Sequence, residues 1–277
     1  MQIHRSVRLG IGVMALAVVA SACGGSGPKS AVESAADGHL TIGIKYDQPG
    51  LGLRNPDGSF TGFDVEVAKY VADKLGVSPE NITFKEAPSA QRETLIENGE
   101  VDYVAATYSI TDSRKQKVDF AGPYFIAGQS LLVQSDNTDI TGPTSLNDGK
   151  KLCSVTGSAP AQTVKDRYAR DVQLQEFDTY SACVEALRNG AVDAVTTDDI
   201  ILAGYAARYP GELKVVGEPF TEEPYGIGLA KTDDESRAKI NDAIDEMIAD
   251  GSWERAFNDT VGASGYQIPT PPTVDRY

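Results

Sequence analysis

Histidine is almost missing from this chain: His4 and His39 are the only two among 277 residues. One falls in an N-terminal leader and the other at the start of the fold. That argues against a Ser–His–Asp or Cys–His catalytic set and against a histidine-ligated metal site. Cysteine is scarce as well. Cys23, Cys153 and Cys183 form no CxxC pair, which excludes a zinc ribbon. Basic residues are outnumbered, 25 against 40 acidic, for a net charge of −15. Two of those basic residues, Arg5 and Arg8, lie in the leader. Such a balance makes nucleic acid and anionic membrane surfaces poor partners, and it reads most simply as solubility. The apolar run over residues 9–20 is too short for a comfortable membrane span.

What is present starts with that leader. Arg5 and Arg8, the apolar run, and Ser21-Ala22 before Cys23 have the layout of a signal peptide over residues 1–22. A buried helix or a membrane anchor is the alternative. Ala20-Ser21-Ala22-Cys23 resembles a bacterial lipobox, in which the cysteine is lipidated at the new N-terminus. It departs from that motif at Ala20, where leucine is usual. Residues 23–38, rich in Gly, Ser and Ala, read as a flexible tether.

One pattern occurs twice. Residues 95–107 read Leu-Ile-Glu-Asn-Gly-Glu-Val-Asp-Tyr-Val-Ala-Ala-Thr, and residues 186–198 read Ala-Leu-Arg-Asn-Gly-Ala-Val-Asp-Ala-Val-Thr-Thr-Asp. Asn98-Gly99 and Asn189-Gly190 mark a helix end, where glycine takes the left-handed position without a Cβ clash. Residues 101–105 and 192–196 then read as buried strands. Thr107 and Asp198 stand 91 positions apart, as do Asp102 and Asp193. Thr107 and Asp198 therefore share one place, just past the C-terminal end of a strand, where open α/β sheets bind ligands. Chance is the alternative, because helix–Asn-Gly–strand is a common connection.

Strands are predicted over 40–45, 82–84, 130–134, 152–155, 174–177, 213–216 and 225–230 besides the two copies. Helices are predicted over 65–75 with Asp64 as N-cap, and over 91–97, 161–168, 181–188, 200–208 and 233–250. Residues 46–58 read as a loop and 111–114 as a turn or helix start. Residues 118–124 read as irregular around Pro123, and the Pro-rich end from Ile268 as a surface tail. Alternating strands and helices give an α/β class with mostly parallel sheets. Two similar units follow, a first lobe of 39–128 plus 225–277 and a second of 129–224. Crossings near Gln129 and Tyr225 join them, with a ligand cleft between.

At this point the residues carry a family. Gly62-Phe63-Asp64-Val65-Glu66, Thr111-Asp112-Ser113-Arg114, Asp119-Phe120-Ala121-Gly122-Pro123-Tyr124 and Val192-Asp193-Ala194-Val195 resemble the extracellular solute-binding proteins, family 3, of polar amino-acid ABC transporters. Asp47-Gln48-Pro49-Gly50, residues 153–158 and Val195-Thr196-Thr197-Asp198-Asp199 are similar to actinobacterial glutamate-binding lipoproteins. The resemblance spans nearly the whole mature chain. It implies a periplasmic-binding-protein-like fold of type II, with two α/β lobes on two hinge strands. It implies a non-enzymatic receptor that hands an amino acid to membrane permease subunits.

The chemistry of a zwitterion agrees. Its carboxylate needs a cation, and a guanidinium such as Arg114 makes two parallel charge-assisted bonds. Thr107 and Ser109 flank it with hydroxyls. Asp198 is the candidate for the ammonium. Thr156 and Gly157 add a hydroxyl and a backbone N–H near a helix start. Lys45 and Arg92, with Ser89, are the candidates for a second ligand carboxylate, since acidic-amino-acid binders of the wider family carry basic residues at such positions. The alternative pairs Lys45 with Asp47, and Arg92 with Glu93 or Glu97, at the surface. Tyr46 covers the ligand's methylenes or simply packs.

The expectation is a monomeric, exported, lipid-anchored glutamate receptor on the outer face of the cell membrane, with no cofactor, metal or nucleic acid. A glutamine or aspartate binder, or a dehydratase on the same fold, is the alternative. Cys153 and Cys183 are expected to pair, because an exported chain meets oxidising conditions and Cys23 is otherwise engaged. Two separate buried thiols are the alternative.

Overall fold

The computed structural model describes residues 29–146, 149–168 and 172–277. The expected signal peptide and Cys23 lie outside the described residues. The first lobe is built on a five-stranded sheet. Its strands are β1 (Leu40–Ile44), β5 (Ile82–Glu86), β6 (Tyr103–Val104), β7 (Asp119–Ala127) and β13 (Glu223–Leu229), in the order β5-β1-β6-β13-β7. The second lobe repeats the plan with β8 (Gln129–Gln134), β9 (Lys151–Val155), β10 (Gln173–Phe177), β11 (Ala194–Asp198) and β12 (Leu213–Val216), in the order β10-β9-β11-β8-β12. In each sheet four strands run in one direction and a single strand, β13 in the first and β8 in the second, runs against its two neighbours. The sheets are therefore more mixed than alternation alone predicts. The two crossing strands explain this. β13 returns to the first sheet at the place that β8 holds in the second, and both lie antiparallel to the strand of the repeat, β6 or β11.

A small three-stranded sheet, β2 (Asp47–Gln48), β3 (Gly52–Arg54) and β4 (Phe60–Thr61), occupies the expected loop after β1. It leads into α2 (Phe63–Lys74). That helix begins at Gly62, not at Asp64. A side chain at Gly62 has no room, because its Cβ would stand 2.0 Å from Leu51 O. Asp64 is instead drawn inside: its carboxylate accepts from Thr107 N at 2.8 Å and from Tyr124 Oη at 2.7 Å.

Four further helices flank the repeats and the cleft: α3 (Arg92–Glu97), α4 (Asp112–Lys115), α6 (Tyr180–Arg188) and α7 (Asp199–Arg208). Between α4 and α6 lies α5 (Ala159–Thr163), which runs on to Tyr168 as a π-helical turn. α8 (Asp234–Ala249) buries Ile240, Ala243, Ile244 and Met247, the spacing of one helix face. Gly251 then breaks the chain into α9 (Ser252–Thr260). Trp253 and Phe257 of α9 meet the ring of Phe63 edge-on, at 5.4 and 5.7 Å. These aromatic rings form the centre of the first lobe's core.

Three local expectations change. Residues 119–124 belong to β7 rather than to an irregular segment. The β7–β13 register shifts between Tyr225 and Ile227, so Pro123 lies where the ladder is interrupted and its missing N–H costs nothing. The expected tether ends early, because α1 (Ala31–Ala36) forms under a Ser30–Glu33 capping box. Ala31 and Ala35 are buried, and the helix N-terminus bonds Asp233 and Ser236. The C-terminal segment is at the surface yet docked: Asp275 N donates to Gly122 O, and Tyr277 Oη accepts from Phe120 N. Cys153 of β9 and Cys183 of α6 form a disulfide with a Cα–Cα distance of 5.6 Å.

Candidate functional site

The repeated strand ends carry the site. β6 stops at Val104, and the chain turns away through Thr107, whose φ of 44° lies in the left-handed region. The Asp64 carboxylate holds its N–H there. The Thr107 hydroxyl lies 2.8 Å from Ala106 O and 3.2 Å from Gln48 Oε1. Asp198 ends β11 and opens α7. Thr107 and Asp198, from opposite lobes, line one small enclosed cavity together with Ser89, Arg92, Ser109, Ser158 and Tyr180. Its volume is about 10 Å3, room for about one water molecule, and the lobes meet beside it through Arg114–Gly157 and Asp47–Ser181.

Three cations approach from the first lobe. Lys45 is 4% exposed and donates to Ser89 Oγ at 2.8 Å. Burial, reinforced by the Arg92 charge, brings its ammonium down to about 7. Arg92 donates to Ala106 O at 3.0 Å, and its Nε is buried without a partner among the described residues. Burial, with Arg114 nearby, lowers it to about 10. Neither Lys45 nor Arg92 makes an ion pair among the described residues. The surface pairing with Asp47, Glu93 or Glu97 is therefore not what the fold forms. Glu93 turns to Arg114 instead, at 3.4 Å. Arg114 is 8% exposed and joins the lobes: it donates to Ser109 O at 2.7 Å and to Gly157 O at 3.0 Å.

Asp198 is 2% exposed. Its Oδ2 accepts from Tyr225 Oη, while Oδ1 has no partner among the described residues. Burial drives its carboxyl well above the usual carboxylate range, and the nearby Glu223 charge adds to this. Asp64 is likewise raised, to about 6, by burial that its hydrogen bonds only partly offset. The site thus sets one buried carboxylate in the second lobe against a cluster of buried cations in the first.

The other expected residues stand further off. Thr156 is exposed, and with Gly157 and Arg114 it lines a wide groove of about 750 Å3 outside the cavity. Its N–H is taken by Phe177 O. Tyr46 is not brought to the cavity. Its ring packs on Phe60 at 4.9 Å and its hydroxyl donates to Phe84 O.

Sequence reasoning missed Tyr108, whose buried ring lies 4.1 Å from the Arg92 guanidinium and 5.0 Å from that of Arg114. Its place between Thr107 and Ser109 was the available signal. It also missed Tyr225, Tyr180 and Ser158, which reach the site from distant segments and carry no local signature.

The chain is similar to known proteins over most of its length. The chain is 54% identical over 248 residues to the glutamate-binding protein GluB of Corynebacterium efficiens, covering 86% of this chain and 83% of that protein. It is 35% identical over 251 residues to the ABC transporter glutamine-binding protein GlnH of Bacillus subtilis, covering 87% and 91%. Among solved structures, an ancestral arginine-binding protein bound to glutamine superposes with a TM-score of 0.75 at 36% identity, covering 81% of this chain and 98% of that one. Such likeness assigns the type II periplasmic-binding fold. Residues 40–262 match the model of the bacterial extracellular solute-binding proteins, family 3, and the chain belongs to that family.

Proposed function

We propose that this protein is the lipid-anchored receptor of an amino-acid ABC importer, that it closes on glutamate, and that it presents glutamate unchanged to membrane permease subunits. Its lobes are residues 39–128 with 225–277, and 129–224. The observation that carries the reading is the charge layout of the shared cavity. Arg92 and Thr107 of one lobe and Asp198 of the other line it, with Lys45 one bond away through Ser89. Glutamate has two carboxylates and one ammonium, the complement of that set. In this reading Arg114 exchanges its Gly157 bond for the α-carboxylate, Asp198 takes the ammonium, and Lys45 with Arg92 receives the side-chain carboxylate. The GluB likeness supports the same ligand.

Calorimetry of the mature chain against the twenty amino acids tests this. Glutamate is expected to bind most tightly, with no product peak by NMR after long incubation. Silence to every amino acid, or turnover, would overturn the reading. A glutamine binder is the second reading. The near-neutral Lys45 and the GlnH likeness favour it, because an uncharged amine accepts an amide without an ionic partner. The anchor is tested separately: Cys23→Ala is expected to move the protein from the membrane to the soluble fraction, and retention in the membrane fraction would rule lipidation out.

A further inference from the structure

The corner Asp47-Gln48-Pro49-Gly50 is not explained by the cavity, which none of its residues lines. It leaves β1 of the first lobe, yet it lodges against the second. Asp47 Oδ2 accepts the backbone N–H of Ser181 at 3.0 Å, in the first turn of α6. Tyr205 Oη of α7 lies 2.5 Å from Asp47 O and 3.2 Å from Asp47 Oδ2. Beside them α7 comes so near that a Cβ on Gly204 would stand 2.3 Å from Pro49 O. No side chain fits between the lobes there.

The corner is braced in its own lobe. Gly50 O accepts from Phe63 N at 2.9 Å, at the start of α2. Gln48 Oε1 lies 3.2 Å from the Thr107 hydroxyl, which ties the corner to the cavity wall. The corner is thus rigid on one side and keyed on the other. Its partners Ser181, Gly204 and Tyr205 all belong to the second lobe.

We propose that this corner is a clasp between the lobes, and that Asp47 is a positioning residue which holds the closed state through Ser181 and Tyr205 without touching the solute. The proposal rests on the reading of a receptor that closes on an amino acid. A contact made only on closure raises the closed population and so the affinity for any ligand. Its loss divides every apparent affinity by the same factor, because each ligand meets the same reduced fraction of competent protein. A cavity residue behaves differently, since its loss changes the ratio between ligands.

The test is calorimetry and stopped-flow dissociation with glutamate and with glutamine on wild type, Asp47→Ala and Gly204→Ala. Both variants are expected to bind both amino acids about tenfold more weakly, the scale of one hydrogen bond to a charged group. The loss is expected in a faster off-rate, with the glutamate-to-glutamine ratio unchanged. Gly204→Ala guards against misfolding as the cause. Alanine suits a helix better than glycine, so the circular dichroism of the ligand-free variant is expected to match that of wild type. Affinities within about twofold of wild type in both variants, or an altered ratio, would overturn the clasp. Failure of wild type to bind either amino acid sinks the functional reading instead. Scattering of the ligand-free proteins then decides the clasp: a larger radius of gyration in Gly204→Ala supports it, and an unchanged one refutes it.

Discussion

Tyr225 Oη donates to Asp198 Oδ2 at 2.5 Å, which links the returning strand of the first lobe to the last residue of β11 in the second. This bond opposes the upward push that burial gives the Asp198 carboxyl. Tyr225→Phe removes the opposition, so a higher pH is needed to ionise Asp198 for a ligand ammonium. The affinity of Tyr225→Phe for glutamate is expected to fall off on the acid side at a higher pH than that of wild type. Calorimetry between about pH 5 and pH 8 checks it, and coincident profiles would remove Asp198 from ammonium binding.

Lys45 supplies a second linkage. Its ammonium sits at about 7 in the folded chain against an ordinary 10.5. Between those values the unfolded chain holds the extra proton, so stability rises as pH rises through that window, and the cost of burying the charged form is fully present below about 7. Lys45→Met is therefore expected to raise the thermal midpoint of the ligand-free protein at neutral pH. In the proposed binding mode a glutamate side-chain carboxylate restores the charge, so binding is expected to take up a proton near pH 7. Heats measured in two buffers of different ionisation enthalpy count that proton. Glutamine is expected to show none.

Arg114 bonds both lobes, through Ser109 O and Gly157 O. In the proposed binding mode its removal leaves a buried ligand carboxylate unpaired, at a cost of about 3–5 kcal/mol. Arg114→Ala is expected to lose more than about a hundredfold in affinity for every amino acid. Calorimetry that still finds tight binding would make Arg114 structural.

The Cys153–Cys183 bridge closes a loop of 30 residues between β9 and α6. In the chain-entropy model such a loop contributes roughly 3–4 kcal/mol, because it restricts the unfolded chain. Double Ser substitution is expected to lower the thermal midpoint by several degrees, and reductant to do the same to wild type. Two alkylated cysteines in the unreduced, unfolded protein would rule the bridge out by intact mass.

Much of this architecture was legible in order along the chain. The duplicated helix–Asn-Gly–strand pattern located β6 and β11, because strand period and helix termination are local properties. It also singled out Thr107 and Asp198, which the fold brings to one cavity. The family resemblance, with the charges that a zwitterion needs, pointed to Lys45, Arg92 and Arg114. Local reading failed where a distant partner takes a group over. Asp64 has the composition of an N-cap, yet Thr107 N and Tyr124 Oη take its carboxylate. Pro123 punctuates the sequence, yet a shift in the β7–β13 register absorbs it. Residues 31–36 look like tether, yet α8 offers Asp233 and Ser236 to the backbone of α1.

The sequence by itself determined which groups carry charge and where strands end, since both depend on residue type and near neighbours. Only the tertiary structure decided which charges lose their solvent and which lobe meets which. Burial leaves Lys45 and Arg92 without anionic partners among the described residues, and closure sets Asp47 of one lobe on Ser181 and Tyr205 of the other. The contacts of Asp47 join segments more than a hundred residues apart in the chain, and no local pattern encodes that meeting in space.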